Sequence, residues 1–335
     1  MPNLRLSYVN VEHGGRDTSP GFSPYSGDGA GYDFGRVVGM FHDGDWPNVL
    51  VLGEGDRYEL NGMEGALEAA AAMRAAGGPA YHPHPCSLPR EGGMFAPVIY
   101  TTDAVQVRRF YNHRLPDFAS RNRNTMFFTL PGSDAPFRIV AWHGDIHSGD
   151  GRLADARTFG RWADPTIPTA LIGDFNQVPS GPHFAPKDLN TPGVHNPRQL
   201  AFRILWRSGR DWTGRYKYDS RAMDYLCGHW SRIRKKRVGG LGFHHVAELA
   251  GDYTPTQGAK PNGRRPLVFD AFLFNESLVP YYVPESYKVH TFRDPTDPDS
   301  DHRRVSVSID IPGAPIPPAS RAIDNDNGAA GTGIP

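Results

Sequence analysis

The chain is poor in cysteine. Cys86 and Cys227 are its two cysteines among 335 residues, so neither a disulfide framework nor a four-thiolate zinc site can be built, and one bridge is the most they allow. Long apolar runs are missing as well. No stretch approaches the roughly 18 residues a membrane helix needs, and the N-terminus "MPNLRLSYVN" enters a strand-like pattern with no signal-peptide core, so the expected location is cytoplasmic. Nor is there net charge. Thirty-six Lys and Arg balance thirty-six Asp and Glu, which excludes a global attraction to nucleic acid or anionic lipid.

Turn formers and local charge, by contrast, are plentiful. With 38 glycines and 31 prolines the chain reads as many short elements joined by long connections. Between Arg203 and Arg237, eleven Lys or Arg stand against three Asp, a surplus that the remainder must offset. Trp206, Trp212, Tyr216, Tyr218, Tyr225 and Trp230 are interleaved with these cations, a pattern that combines phosphate neutralisation with base stacking. The same pattern suits a solvated face whose aromatics belong to the core. A second basic run, Val107 to Asn124, tilts the balance toward nucleic acid.

Apolar runs mark the strands. Leu4–Glu12, Val49–Leu52, "FAPVIY", "AVQVRRFY", "NTMFFTL", Phe137–His143, "TALIGDFN", Arg265–Asn275 and Arg303–Asp310 read as strands. Continuous runs such as "VLVL" point to strands covered on both faces. "NGMEGALEAAAAMRAAGG" predicts a helix capped by Asn61 and stopped by Gly77–Gly78; "DGRLADARTFGRWA" and "PRQLAFRILWRSG" predict two more. The Pro- and Gly-rich tail, 313–335, is expected to be disordered. Strands outnumber what a doubly wound sheet needs, and several are joined by short turns, which favours an α+β sandwich.

Five of these strands begin or end in polar groups. Asn10 and Glu12 close the first and Glu54 the second; His143 follows "FRIVAW", Asp174 and Asn176 follow "TALIG", and "SDH" (Ser300–His302) precedes the last. Asp and Asn form turns readily, so each alone is weak. Together they form a set. Asp270, inside "PLVFDAFLF", is a carboxylate in an apolar run and needs a buried partner.

In order and spacing, "YVNVEHGG", "NVLVLGEGD", "RIVAWHGD", "LIGDFNQVPSG", "YTPTQG", "VFDAFLFN" and "SDHRRV" resemble the endonuclease/exonuclease/phosphatase superfamily, the deoxyribonuclease I-like fold, over roughly residues 4–310. The resemblance implies a four-layered α/β/β/α sandwich, two mixed sheets flanked by helices, as one catalytic domain over 1–312 with a long basic insertion at about 182–252. It also implies hydrolysis of a phosphate ester with Mg2+ or Mn2+. Such chemistry needs an activated water, a cation to absorb charge on the phosphoryl oxygens and a proton for the leaving oxygen. Carboxylates and amide oxygens suit a hard ion that keeps several waters.

By the same resemblance Glu54 would be the principal metal ligand, Asn10 would orient it and touch the ion, and Asp301 would lie near the metal or its water. Asp174 would position or deprotonate the attacking water, and Asn176 would donate to phosphoryl oxygens. His302 would act as acid or base, with Asp270 bonding its far nitrogen and fixing its tautomer. His143 would be the second histidine. His147 is the alternative, although Gly144 after a strand argues against the helix that an H-x-x-x-H metal pair requires. Two positions depart from the family pattern: Gly53 stands where Gln is frequent, which puts metal affinity in question, and Arg304 where Pro is usual.

His143 and the opening "VN" count against abasic-site repair and leave nonspecific nucleases, phosphatases and sphingomyelinase-like lipases. The basic segment turns the expectation toward a nuclease acting on DNA or RNA, with Arg234, Lys235, Lys236 and Arg237 on the substrate. The alternatives are a phosphomonoesterase or lipid-headgroup hydrolase of the same fold, and a noncatalytic binding protein.

Overall fold

The computed structural model describes residues 3–15, 32–85, 96–112, 123–184, 190, 203–205, 214–257, 267–296 and 298–311. The helix expected over 197–209, apart from 203–205, and the tail 313–335 lie outside the described residues, as does Cys86. Cys227 is a free, buried thiol.

In chain order the elements of the first half are β1 (Asn3–Asn10), α1 (Phe34–Gly39), β2 (Val49–Gly53), α2 (Leu60–Ala75), β3 (His82–Pro85), β4 (Val98–Thr101), β5 (Gln106–Asn112), β6 (Arg123–Thr129) and β7 (Phe137–His143). There follow α3 (Gly149–Arg157), α4 (Gly160–Ala163), β8 (Thr169–Asp174), α5 (Arg221–Cys227), β9 (His229–Ser231), β10 (Lys236–Val238), β11 (Phe243–His245), α6 (Val246–Ala250), β12 (Asp270–Asn275), β13 (Lys288–Val289) and β14 (Val305–Asp310). Six strands form one sheet in the order β13-β14-β1-β2-β4-β3, six form a second in the order β11-β12-β8-β7-β6-β5, and β9 and β10 form a separate hairpin. Both large sheets are mixed, as expected. Each holds one parallel pair, β1 with β2 and β7 with β8, among antiparallel neighbours.

Side-chain alternation along the strands produces the layers. Leu4, Leu6, Tyr8, Val49, Val51, Ile139, Ala141, Ala170 and Ile172 point between the sheets into one core. Their odd-and-even neighbours point outward. Val9, Leu50 and Leu52 meet Ala66, Ala69 and Met73 of α2, while Val140, Trp142 and Leu171 meet Ala156, Phe159, Trp162 and Leu226. Helices therefore cover both outer faces, which is why the strands read as unbroken apolar runs. Each fully buried Val, Leu, Ile, Phe or Met side chain among them contributes about 1.5–3 kcal/mol.

Asn61 does not cap α2. It lies at φ +51°, with Gly62 at +75° and Met63 at +71°, and its amide donates to the Glu64 carboxylate at 2.9 Å. Asn and Gly tolerate left-handed backbone, so the chain turns there before the regular helix begins. The expected stop holds, with Gly77 at φ +91° just beyond the helix. The strand β3, "HPHP", was hidden by its two prolines; it sits at a sheet edge, where Pro is tolerated. The segment expected as a long insertion is structured where described: α5 packs on the outer face of the second sheet and β11 extends its edge. Among the described residues no helix is long and apolar enough to cross a membrane.

Candidate active site

The two parallel pairs deliver their C-terminal ends to one place. In register, Asn10 stands beside Gly53, the residue before Glu54, and His143 stands beside Asp174. Antiparallel β12 begins where β8 ends, pairing Asp270 with Asp174. Antiparallel β14 likewise starts beside the end of β1, and Ser300 just before it donates to the Asn10 carbonyl at 2.7 Å. A cleft of about 280 Å³ opens there, lined by Glu54, His143, Asp174, Asn176, Asp301 and His302 among others.

One wall is carboxylate-rich. Glu54 is 8% exposed, and its oxygens receive the Asn10 amide (2.9 Å) and the His13 backbone N–H (2.9 Å). Asn10 thus orients Glu54, and its own oxygen accepts from the Glu12 N–H at 3.0 Å. Burial, reinforced by Asp56, pushes the Glu54 carboxyl above its ordinary range. His13 bonds Asp56 at 3.0 Å, and that bond raises the imidazole.

The opposite wall holds His302. Its Nδ1 faces both oxygens of Asp270 at 2.8 and 3.0 Å, and Asp270 is fully buried. Its Nε2 lies 3.8 Å from Asp174 and 3.8 Å from Asp301. Burial opposes the charge, but the carboxylates of Asp270, Asp301 and Asp174 outweigh it and raise His302 to about 10. The imidazolium therefore carries Nε2–H into the cleft at neutral pH. Burial raises the Asp174 carboxyl as well, with His302 opposing. Asp174, Asp270 and His302 bring ligand atoms within 4.8 Å of one another, and both Asp270 oxygens face His302 Nδ1.

His143 is buried, and burial followed by the charge of His302 pushes it down to about 3. It stays neutral. Asn176 meets its Nε2 at 3.2 Å and the Gly144 carbonyl at 3.1 Å through the same amide nitrogen, so both amide hydrogens are engaged within the protein. In this structure the Asn176 amide therefore makes an orienting contact on His143. His147 also lines the cleft but is exposed, in the loop after β7.

Backbone strain concentrates in the cleft. Glu12 (φ +46°), His13 (+60°), Glu54 (+57°) and Asn176 (+49°) are left-handed non-glycine residues, and all four line it. Each such residue costs on the order of 1–3 kcal/mol, which the surrounding sheets must offset.

Gly53 also has a physical reason. A Cβ there would run into the hydroxyl of Tyr8, a fully buried side chain on the neighbouring strand. The phenol takes the space a side chain at 53 would fill. Burial and the charges of Asp270, Asp174 and Glu54 hold it protonated. Gly53→Ala is expected to cost about 1–3 kcal/mol of stability through overpacking, with part regained in Tyr8→Phe/Gly53→Ala. Melting temperatures of the three proteins check this, and an unshifted single variant would refute it. Arg304, where the resemblance led to the expectation of proline, is 1% exposed and donates to Asp43 at 2.6 Å. Asp43, Asp45 and His290 stand close enough to share a cation, but Arg304 and Lys288 already supply the positive charge.

Of the basic residues expected on substrate, none lines the cleft. Arg234, Lys235 and Lys236 are exposed at the β9–β10 turn. Arg237 is taken up by the fold, bonding Glu248 at 2.6 Å and the Gly228 and Ser180 carbonyls at 2.9 Å each. His13, Arg152, Arg203 and Gln257 line the cleft without having been singled out. "YTPTQG" pointed to Gln257, and Arg203 opened the basic segment; nothing local distinguished Arg152.

Solved structures share this architecture at low sequence identity. An endonuclease/exonuclease/phosphatase from Bacteroides vulgatus matches 93% of this chain and 100% of its own, at 13% identity and a TM-score of 0.57. An endonuclease/exonuclease/phosphatase family protein from Bacteroides thetaiotaomicron matches 92% and 99%, at 14% identity and 0.55. TDP2 from D. rerio, complexed with a single-strand DNA product, matches 92% and 99%, at 14% identity and 0.53. No protein-family model matches the sequence, and neither does any curated protein.

Proposed function

We propose that this chain, which has the endonuclease/exonuclease/phosphatase fold, is a divalent-metal-dependent phosphodiesterase, specifically a nuclease hydrolysing DNA or RNA. The observation that carries this reading is the buried Asp270–His302 pair, whose free ring nitrogen faces Asp174 in a cleft that also holds Glu54.

The residues fit a hard cation. Among the described residues both Glu54 oxygens accept from neutral N–H donors, with no cationic side chain in bonding contact with its buried charge. Glu54 would hold Mg2+ or Mn2+, with Asn10 orienting it and Asp301 near the bound water. The ion would supply charge neutralisation on the phosphoryl oxygens. Asp174, raised by burial, would accept the proton of the attacking water. His302 would donate Nε2–H to the leaving oxygen, its tautomer set by Asp270. Neutral His143, held by Asn176, would position the phosphate.

The basic turn at Arg234, Lys235 and Lys236, and a structural neighbour solved with single-strand DNA product, support nucleic acid as the substrate. The test is product release from plasmid DNA, single-stranded DNA, RNA and soluble phosphate esters, with Mg2+, Mn2+ or chelator, for wild type and His302→Ala. Metal-dependent strand cleavage lost in the variant is expected. Phosphate release from small esters alone would move the activity to the phosphatase branch, and no turnover at all would leave a binding protein.

A further inference from the structure

A second cavity, of about 610 Å³, is lined by the β9–β10 hairpin, by β11 and α6, and by His183. Two short segments join it to the cleft. Asn176 lines the cleft and His183 the cavity, seven residues on; Gln257 lines the cleft and Tyr253 the cavity, four residues earlier. At about 3.5 Å per extended residue, Tyr253 and Gln257 are at most ~14 Å apart.

The cavity has aromatic walls and a cationic rim. His183 stacks on Tyr253 with centroids 4.5 Å apart and planes 16° from parallel, and Trp230 meets His183 edge-on at 6.4 Å. Gly181, at φ +130°, lies against Trp230: a Cβ there would make ordinary contact with it at 3.5 Å. Lys235 and Lys236 line the rim, exposed and without an ion-pair partner among the described residues. His245, also lining the cavity, is 1% exposed, and neither ring nitrogen has a hydrogen-bond partner among the described residues. Burial, then Arg237, pushes it down to about 3, so it keeps one donor and one acceptor unspent.

We propose that this cavity is a nucleobase subsite for a single strand whose scissile phosphate lies in the cleft: one base stacks on Trp230, its polar edge meets His245, and the flanking phosphates meet Lys235 and Lys236. This rests on the nuclease reading above. An acyl chain would leave the buried His245 nitrogens unpaired, and a duplex keeps its bases stacked on one another rather than splayed into a pocket. Stacking wall, cationic rim and a buried donor–acceptor are the combination that a flexible single strand requires.

The test is equilibrium binding of a fluorescein-labelled oligothymidylate, and of a duplex of equal length, to the full chain in chelator, followed by anisotropy at several salt concentrations. Wild type is expected to prefer the single strand. Trp230→Ala should weaken it by roughly 5- to 150-fold, the contribution of one stacked base, with Trp230→Phe retaining most of the affinity. Lys235→Ala/Lys236→Ala should flatten the slope of log K against log salt by ~1.4, since each phosphate released from a single strand contributes about 0.7. Unchanged affinity in a folded Trp230→Ala, or an unchanged slope in the lysine pair, would overturn the subsite, as would a wild type that prefers the duplex or binds neither. If Trp230→Ala loses its thermal transition, the exposed lysine pair decides through the slope. Cleavage of the same strand with Mg2+ separates the two readings. Trp230-dependent binding without cleavage sinks the nuclease and keeps the subsite; cleavage with Trp230-independent binding does the reverse.

Discussion

Asp174→Asn is expected to lower metal-dependent phosphodiester turnover by roughly 10²- to 10⁴-fold, the range of a general base, without lowering the melting temperature. The carboxylate lies 3.8 Å from His302 Nε2 at the end of a central strand, and burial raises it toward neutral pH. Asparagine keeps the oxygen that accepts the Asn176 N–H at 2.7 Å, so the turn after β8 survives. The sign of the stability effect follows from linkage. The folded-state value lies above the unfolded value of about 4, so as pH rises past the latter the folded chain bears an ionisation cost that the unfolded chain does not. Removing the charge removes that cost, and the variant should melt at or above wild type at neutral pH. Steady-state kinetics and calorimetry check both halves. A large loss of stability would return "GDFN" to turn formation, and full activity would deny Asp174 the role of base.

Asp270→Asn should have its largest effect on pH dependence. His302 is raised to about 10 against an ordinary 6.5, so in wild type it contributes stability that is fully present below pH 6.5 and lost as pH rises through about 10. Without the Asp270 charge the ring loses its largest support for the imidazolium. A destabilisation of about 3–5 kcal/mol is expected near the acid end of that window, the usual cost of leaving one buried charge unpaired, and little difference beyond its alkaline end. The alkaline limb of kcat should move to lower pH in step. Melting temperatures and pH–rate profiles of both proteins decide it. A penalty equal at all pH values would mean that Asp270 acts through packing, not through the charge on His302.

Much of the site was legible because its groups interrupt apolar runs. A strand covered on both faces has no reason to end in Glu54, His143 or Asp174 unless the end itself is used, and Asp270 inside "VFDAF" demanded a buried partner, which the fold supplies as His302. What stayed hidden depends on approach between segments distant in sequence. Gly53 reads as a departure until Tyr8 is seen in its place. Arg237 reads as one of four substrate cations until Glu248 and two carbonyls claim it. His245 carries no local signal at all, since only its burial beside the cavity gives meaning to nitrogens that lack a partner among the described residues.

The sequence by itself determined the α+β class, the long strands and the chemistry of their ends, because side-chain period and the cost of burying polar groups act over a few neighbouring residues. Only the tertiary structure decided which way His302 is charged, which amide hydrogens Asn176 has left, and which cations face solvent. Those follow from desolvation and from distances of a few ångströms between β1, β8, β12 and the start of β14, strands up to about 300 residues apart in the chain.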